Sequence, residues 1–260
     1  ERLGGAGTTT DALAFGGGDG SASAKTEHYN GTSWSEGGDL GAANTNMGGC
    51  GTATSALQFG GNPASNDTEE WSFPSVPGVQ LGQVWFNTGS STLKGYAAQG
   101  TGAWASGGSV NTGRFGQGGT GSQDAAIIFG GATPTYVANV ETYDGSSWTE
   151  VGDLNTARGY ISSAGTSTAS LAYGGLAPPS NTHKAITESW NGSSWTETGD
   201  VNTARREASG SPAGTTTAAL MTGGHTPSKT AICEQWNGSA WTEVADLNTA
   251  RGGATNIGTS

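Results

Sequence analysis

The sequence predicts an all-β fold built from radially arranged blades, a β-propeller, and three observations carry that expectation. First, a phrase recurs: DGSSWTEVGDLNTARG at 144–159, NGSSWTETGDVNTARR at 191–206, NGSAWTEVADLNTARG at 237–252, and a looser copy, NGTSWSEGGDLGAANT, at 30–45. Second, an apolar run ending in a glycine pair precedes each copy: ALAFGG at 12–17, AIIFGG at 126–131, SLAYGG at 170–175 and ALMTGG at 219–224. Third, 47 of 260 residues are glycine and only 12% are charged, with no 3.6-residue apolar spacing to support helices. The tryptophans of the phrase, Trp104, Trp148, Trp195 and Trp241, lie 44, 47 and 46 residues apart. That period is the size of a propeller blade.

One unit, residues 155–201, justifies the four strands in order. Gly159–Thr166 is a small-residue strand suited to the crowded centre of a ring. Ala169–Tyr173 is the most apolar and the best buried, and it stops at Gly174-Gly175, where positive φ or close approach excludes a side chain. Ile186–Trp190 alternates apolar and polar residues as a half-buried strand does. Asn191-Gly192 is a tight turn, because both turn positions tolerate positive φ, and Trp195–Thr198 is the outer strand. Aromatic pairs five apart flank the turns: Tyr29/Trp34, Tyr143/Trp148, Trp190/Trp195 and Trp236/Trp241. Their spacing suits packing of blade on blade.

The apolar strand, the Gly-Gly doublet and the spaced aromatic pair resemble the kelch motif of kelch and galactose-oxidase-type propellers. TEEW or TESW, the latter followed by NGSSWTETGDVNTAR, is similar to kelch-like arrays in structural proteins of marine bacteriophages. The resemblance covers about 1–73 and 93–260. It implies a propeller fold and a virion or extracellular setting such as a tail fibre; because propellers host many activities, it does not imply one function.

Six four-stranded blades are expected, with second strands at Leu13–Phe15, Leu57–Phe59, Val84–Phe86, Ile127–Phe129, Leu171–Tyr173 and Leu220–Thr222. The matching third strands are Thr26–Tyr29, Thr68–Trp71, Leu93–Tyr96, Val140–Tyr143, Thr187–Trp190 and Cys233–Trp236. Residues 72–92, with Pro74 and Pro77, form one irregular blade. Residues 1–10 and 248–260 both read as the same inner strand. The chain is therefore expected to be a single propeller domain, 1–260, cut from a longer protein.

A net charge of −11 disfavours nucleic acid, and no run of 18 apolar residues spans a membrane. Cys50 and Cys233 fall in distant blades and are expected as free thiols. His28, His183 and His225 lack metal-ligand spacing, so no metal, cofactor or catalytic group is expected and the protein is read as a non-enzyme. The inner strands supply no tyrosine and histidine set for copper apart from Tyr160. The Asn-x-Ser/Thr matches at Asn30, Asn66, Asn191 and Asn237 are read as turn chemistry.

Two groups of residues are candidates for ligand binding. Arg114, Arg158, Arg205 and Arg251 each open an inner strand, with Arg2 in a comparable place and Met47 replacing it in blade two. They either converge as a guanidinium ring at the channel mouth, suited to carboxylates and acidic sugars, or brace blade connections against Asp153, Asp200 and Asp246. The loops between second and third strands vary most, at 17–25, 61–67, 131–139, 175–185 and 224–231. They place Tyr136, Pro178, Pro179, His183 and His225 on one face. The expected function is recognition of a host surface glycan or protein by this face, on a virion fibre or other extracellular appendage. The alternatives are a structural module packing on virion proteins or on copies of itself, and a sialidase- or oxidase-like glycan enzyme.

Overall fold

The computed structural model describes residues 2–18, 20–62, 64–72, 84–87, 92–95, 102–211 and 214–253, and every regular element among them is a strand. Five small antiparallel sheets are arranged as a β-propeller. Blade one is Gly4–Gly7, Ala12–Phe15, Thr26–Tyr29 and Trp34–Glu36. Blade three is Gly118–Ser122, Ala125–Phe129, Val140–Tyr143 and Trp148–Glu150, and blade four is Ser162–Gly165, Ser170–Tyr173, Thr187–Trp190 and Trp195–Glu197. Blade five has Ala219–Thr222, Cys233–Trp236 and Trp241–Val244, with Ser209 hydrogen-bonded both ways to Thr222 in the inner position.

Blade two differs from the expectation. Its first three strands, Gly48–Thr52, Ser55–Phe59 and Thr68–Ser72, are completed by Ala103–Ser106, so Trp104 pairs across from Trp71. Val84–Asn87 and Thr92–Gly95, expected as strands of a blade of their own, form a separate two-stranded hairpin inserted between the third and outer strands of blade two. Among the described residues five sheets are blades and two more are two-stranded ribbons, so the expected count of six blades holds only approximately. The rest of the irregular stretch 72–92, at 73–83 and 88–91, lies outside the described residues, as do 96–101 and 254–260.

Adjacent blades are joined by one repeated contact. The aromatic ending each second strand meets the outer-strand tryptophan of the next blade: Phe15–Trp104 at 5.1 Å, Phe59–Trp148 at 5.7 Å, Phe129–Trp195 at 5.0 Å and Tyr173–Trp241 at 4.8 Å. Around these lie four apolar clusters, one per joint. The glycine pairs make the joint possible. Gly130 and Gly174 have φ of 63° and 69°, and a Cβ there would stand 2.4 and 2.7 Å from the carbonyl oxygens of Arg158 and Arg205 in the next blade. Gly131 and Gly175 then donate backbone N–H bonds to those same carbonyls at 2.9 Å.

At the channel mouth the blades are linked by single backbone bonds in sequence. Asn46 donates to Arg2, Gly116 to Asn46, Tyr160 to Gly116, Glu207 to Tyr160 and Gly253 to Glu207. The five donors all have φ between 50° and 70°. Both copies of the inner-strand opening therefore have a place: Arg2 stands at the start of this chain of bonds and Gly253 at its end.

Candidate functional site on the variable-loop face

The phrase N-T-A-R is a brace. Arg158 is fully buried; its Nη1 donates to Glu188 Oε1 at 2.6 Å and its Nη2 to the Ala172 carbonyl at 3.1 Å. Asn155 holds the other carboxylate oxygen through its backbone N–H (2.7 Å) and its Nδ2 (2.8 Å). Arg114 with Glu141 and Asn111, and Arg205 with Glu234 and Asn202, repeat the arrangement in blades three and five. Each pair fastens an incoming connector to the third strand of the blade it enters. Burial pushes the Arg114 and Arg158 guanidiniums down from their ordinary value, opposed by Glu141 and Glu188.

These contacts correct two expectations. Arg114, Arg158 and Arg205 do not form a ring at the channel mouth, because a fully buried, Glu-paired guanidinium has no face left for a ligand. Nor are their ion-pair partners the aspartates five residues upstream: Asp200 and Asp246 accept the backbone N–H of Thr187 and Cys233 at 3.2 Å. Arg251 is exposed, its Nε 3.4 Å from the Thr249 carbonyl, and it stands apart from the other three. In blade two the arginine position belongs to Asn44, whose carbonyl accepts the Gly17 N–H, and not to Met47, which packs in the joint between blades one and two. The axis itself is narrow, a cavity of ≈ 50 Å³ with glycines such as Gly48, Gly118 and Gly210 making up half of its lining residues.

The variable-loop face does bring predicted residues together. A cavity of ≈ 220 Å³ lies between the loops of blades three and four, walled by Phe115, Pro134, Tyr136, Tyr160, Pro178 and Pro179. Tyr160 is its hub, with Phe115 edge-on at 6.3 Å and Tyr136 edge-on at 6.4 Å. The Arg206 guanidinium lies over the Tyr160 ring, 5.9 Å from its centre. Arg206 Nε is 3.6 Å and His225 Nδ1 3.4 Å from the two oxygens of the Glu207 carboxylate. The Arg206 and His225 backbones pair as an isolated bridge, which fixes this geometry. His183 sits on a two-residue strand paired with Leu176–Ala177; burial first, then Arg206 and His225, hold its pKa below the ordinary value. Burial also raises the Tyr136 and Tyr160 hydroxyls.

Of the predicted site residues, Tyr136, His183 and His225 thus share one cluster. Phe115, Tyr160, Arg206 and Glu207 were not singled out as ligand-binding residues. They sit at and next to the position two beyond the brace arginine, which reads Asn46, Gly116, Tyr160, Glu207 and Gly253 along the chain. A tyrosine or glutamate where the other repeats have glycine or asparagine, the residues that tolerate positive φ, was the available signal. Among the described residues no three His, Cys, Asp or Glu side chains converge as a metal site, and no helix is long and apolar enough to cross a membrane. No family model matches the chain, and no curated protein matches it.

Proposed function

We propose that this chain is a non-enzymatic recognition propeller with kelch-like repeats, binding a host-surface saccharide or protein through the variable-loop face of blades three to five. Its setting, on this reading, is a virion fibre or other extracellular appendage. The observation that supports it most is conformational strain at the pocket. Tyr160 and Glu207 hold φ of 56° and 50°, a left-handed conformation that costs a side-chain-bearing residue about 1–2 kcal/mol and that Gly116 and Gly253 occupy without that cost. Asn46 shares the conformation but asparagine tolerates it; the strain of Tyr160 in the pocket wall and of Glu207, bonded to its carbonyl, supports a site kept for binding. Rigid aromatic walls suit the apolar face of a sugar ring or a peptide side chain, and the loops that carry them are held by the blades beneath.

Glycan hydrolysis fits less well. The usual chemistry needs two carboxylates across the scissile bond, and this cluster holds a single one, Glu207, whose oxygens lie 3.6 Å from Arg206 Nε and 3.4 Å from His225 Nδ1.

A second reading, a module that assembles with other appendage proteins or copies of itself, is favoured by blade one. Trp34 is 48% exposed, whereas the equivalent Trp148, Trp195 and Trp241 are buried against a preceding blade. An aromatic of this kind suits a blade-like partner surface.

The test is binding of the 1–260 chain to a panel of bacterial surface polysaccharides and whole cells, with Tyr136→Ala alongside. Saturable binding lost in a normally melting Tyr136→Ala protein supports recognition. Release of reducing sugar, or binding that the substitution leaves intact, counts against it.

A further inference from the structure

The same pocket also carries information on the charge of its ligand. Although the chain is strongly acidic, the loops at 131–139, 175–185 and 224–231 contain no Asp or Glu and contribute Lys184, Lys229, His183 and His225. The corresponding loops of blades one and two, 17–25 and 61–67, each carry an aspartate. Arg206 and Glu207 enter the cluster from the strand opening below. The connector aspartates Asp200 and Asp246 are spent on backbone N–H groups of the third strands.

The hydrogen-bond accounting points the same way. In the braces, Arg114, Arg158 and Arg205 each meet a carboxylate oxygen within hydrogen-bond distance and at least one carbonyl. Arg206 is held differently. Its nearest carboxylate oxygen is 3.6 Å away, beyond hydrogen-bond range, and a third of its side chain is exposed; its buried Nε has no acceptor, as is also true of the Arg114 and Arg158 Nε. His225 Nδ1 and His183 Nε2 are buried without a hydrogen-bond partner as well. A buried donor left unmatched is costly, and a charged acceptor repays a guanidinium about twice as well as a neutral one. A partly exposed guanidinium that makes no hydrogen bond to its nearest carboxylate, beside an aromatic pocket on a face whose loops carry no acid, suits an anionic oxygen.

We infer that the ligand is an acidic saccharide whose carboxylate or sulfate is taken by Arg206, with His225 and His183 beside it, while Tyr136 and Tyr160 take the sugar ring. The inference rests on the recognition reading above and narrows it to one chemical class. The cation–π contact places the guanidinium within the breadth of one sugar ring from the Tyr160 wall.

The experiment measures affinity of the 1–260 chain for three oligosaccharides of equal length: neutral, uronate-containing and sulfated. Each is run at low and at physiological ionic strength, against Arg206→Gln and Lys229→Gln. The acidic probes should bind at least roughly tenfold more tightly than the neutral one, and salt should weaken that preference. The uronate and sulfate arms identify which anion is favoured. Arg206→Gln should bring the acidic-to-neutral ratio close to one. The exposed Lys229 changes chiefly the salt dependence, so its substitution reports on the face even if Arg206→Gln folds poorly. Equal binding of neutral and acidic probes, unaffected by either substitution, overturns the anionic assignment and leaves recognition standing. Absence of binding to all three by a folded protein that also ignores the wider polysaccharide and cell panel overturns both.

Discussion

Replacing Arg158 with alanine tests whether the N-T-A-R phrase is a brace. The guanidinium and the Glu188 carboxylate are both 0% exposed and 2.6 Å apart. Alanine would leave Glu188 in place with two bonds from Asn155 and no cation, and would strand the Ala172 carbonyl of its side-chain donor. Removing one partner of a buried pair costs about 3–5 kcal/mol, because the remaining charge stays out of water. The two Asn155 bonds place the expected loss toward the lower end, about 3 kcal/mol. For a chain of this size each kcal/mol moves the midpoint by about 2–4 °C, so Tm should fall by roughly 6–12 °C. Thermal and urea denaturation followed by tryptophan fluorescence read this directly. In the Arg158→Met, Glu188→Leu double variant part of the loss should return, since the uncompensated charge is gone, and the cycle should give a coupling of about 2 kcal/mol. An Arg158→Ala protein within about 1 kcal/mol of the parent would refute the brace and return Arg158 to the list of ligand-binding candidates.

Three further outcomes follow from other parts of the molecule. Trp104, Trp148 and Trp241 donate Nε1 to the hydroxyls of Thr26, Thr68 and Thr187, but blade three has Val140 at that position and the buried Trp195 Nε1 has no partner. Val140→Thr should therefore raise stability by about 1 kcal/mol in a thermal melt, whereas destabilisation would show that packing outweighs the added bond. Tyr160→Gly should relieve left-handed strain while removing pocket contacts. Stability should stay within about 1 kcal/mol of the parent as ligand binding is lost, and a loss of about 3 kcal/mol or more would make Tyr160 a packing residue. Burial pushes the Cys50 thiol up to about 12 and raises that of Cys233 as well. Both should resist a maleimide at pH 8 until the protein is unfolded in urea, and labelling of the native protein would contradict the buried joints.

What the sequence disclosed depended on how local the cause was. The second strands and their terminal glycine pairs were legible because φ and side-chain alternation are decided within a few residues, as at Gly174-Gly175. At Asn191-Gly192 the turn was placed but not its form, since only Gly192 has positive φ and the Asn191 side chain instead accepts the N–H groups of Ser193 and Ser194. Sheet membership was not legible. The alternation at 84–96 specifies a hairpin equally well inside or outside a blade, and only the pairing of Ala103–Ser106 with Thr68–Ser72 decides which. The brace was misassigned for the same reason. Asp153 is five residues from Arg158 in sequence, while Glu188, thirty residues on, is delivered to it by the third strand. In the candidate site, Tyr136, His183 and His225 were visible because they stand in loops that differ between blades. Tyr160 and Glu207 were hidden inside the repeated phrase, where their departure from glycine acquires meaning only once the backbone is known to be left-handed there.

The most direct test of recognition through the variable-loop face is hydrogen exchange of the 1–260 chain with and without a saturating acidic oligosaccharide. Slowed exchange should be confined to peptides spanning 114–116, 132–137, 158–161, 176–184, 206–207 and 224–230, with the Asn-Gly turns at 191–192 and 237–238 unchanged. Protection at those turns, or only around Trp34, would contradict the account and move the interaction to the opposite face or to the outer side of blade one.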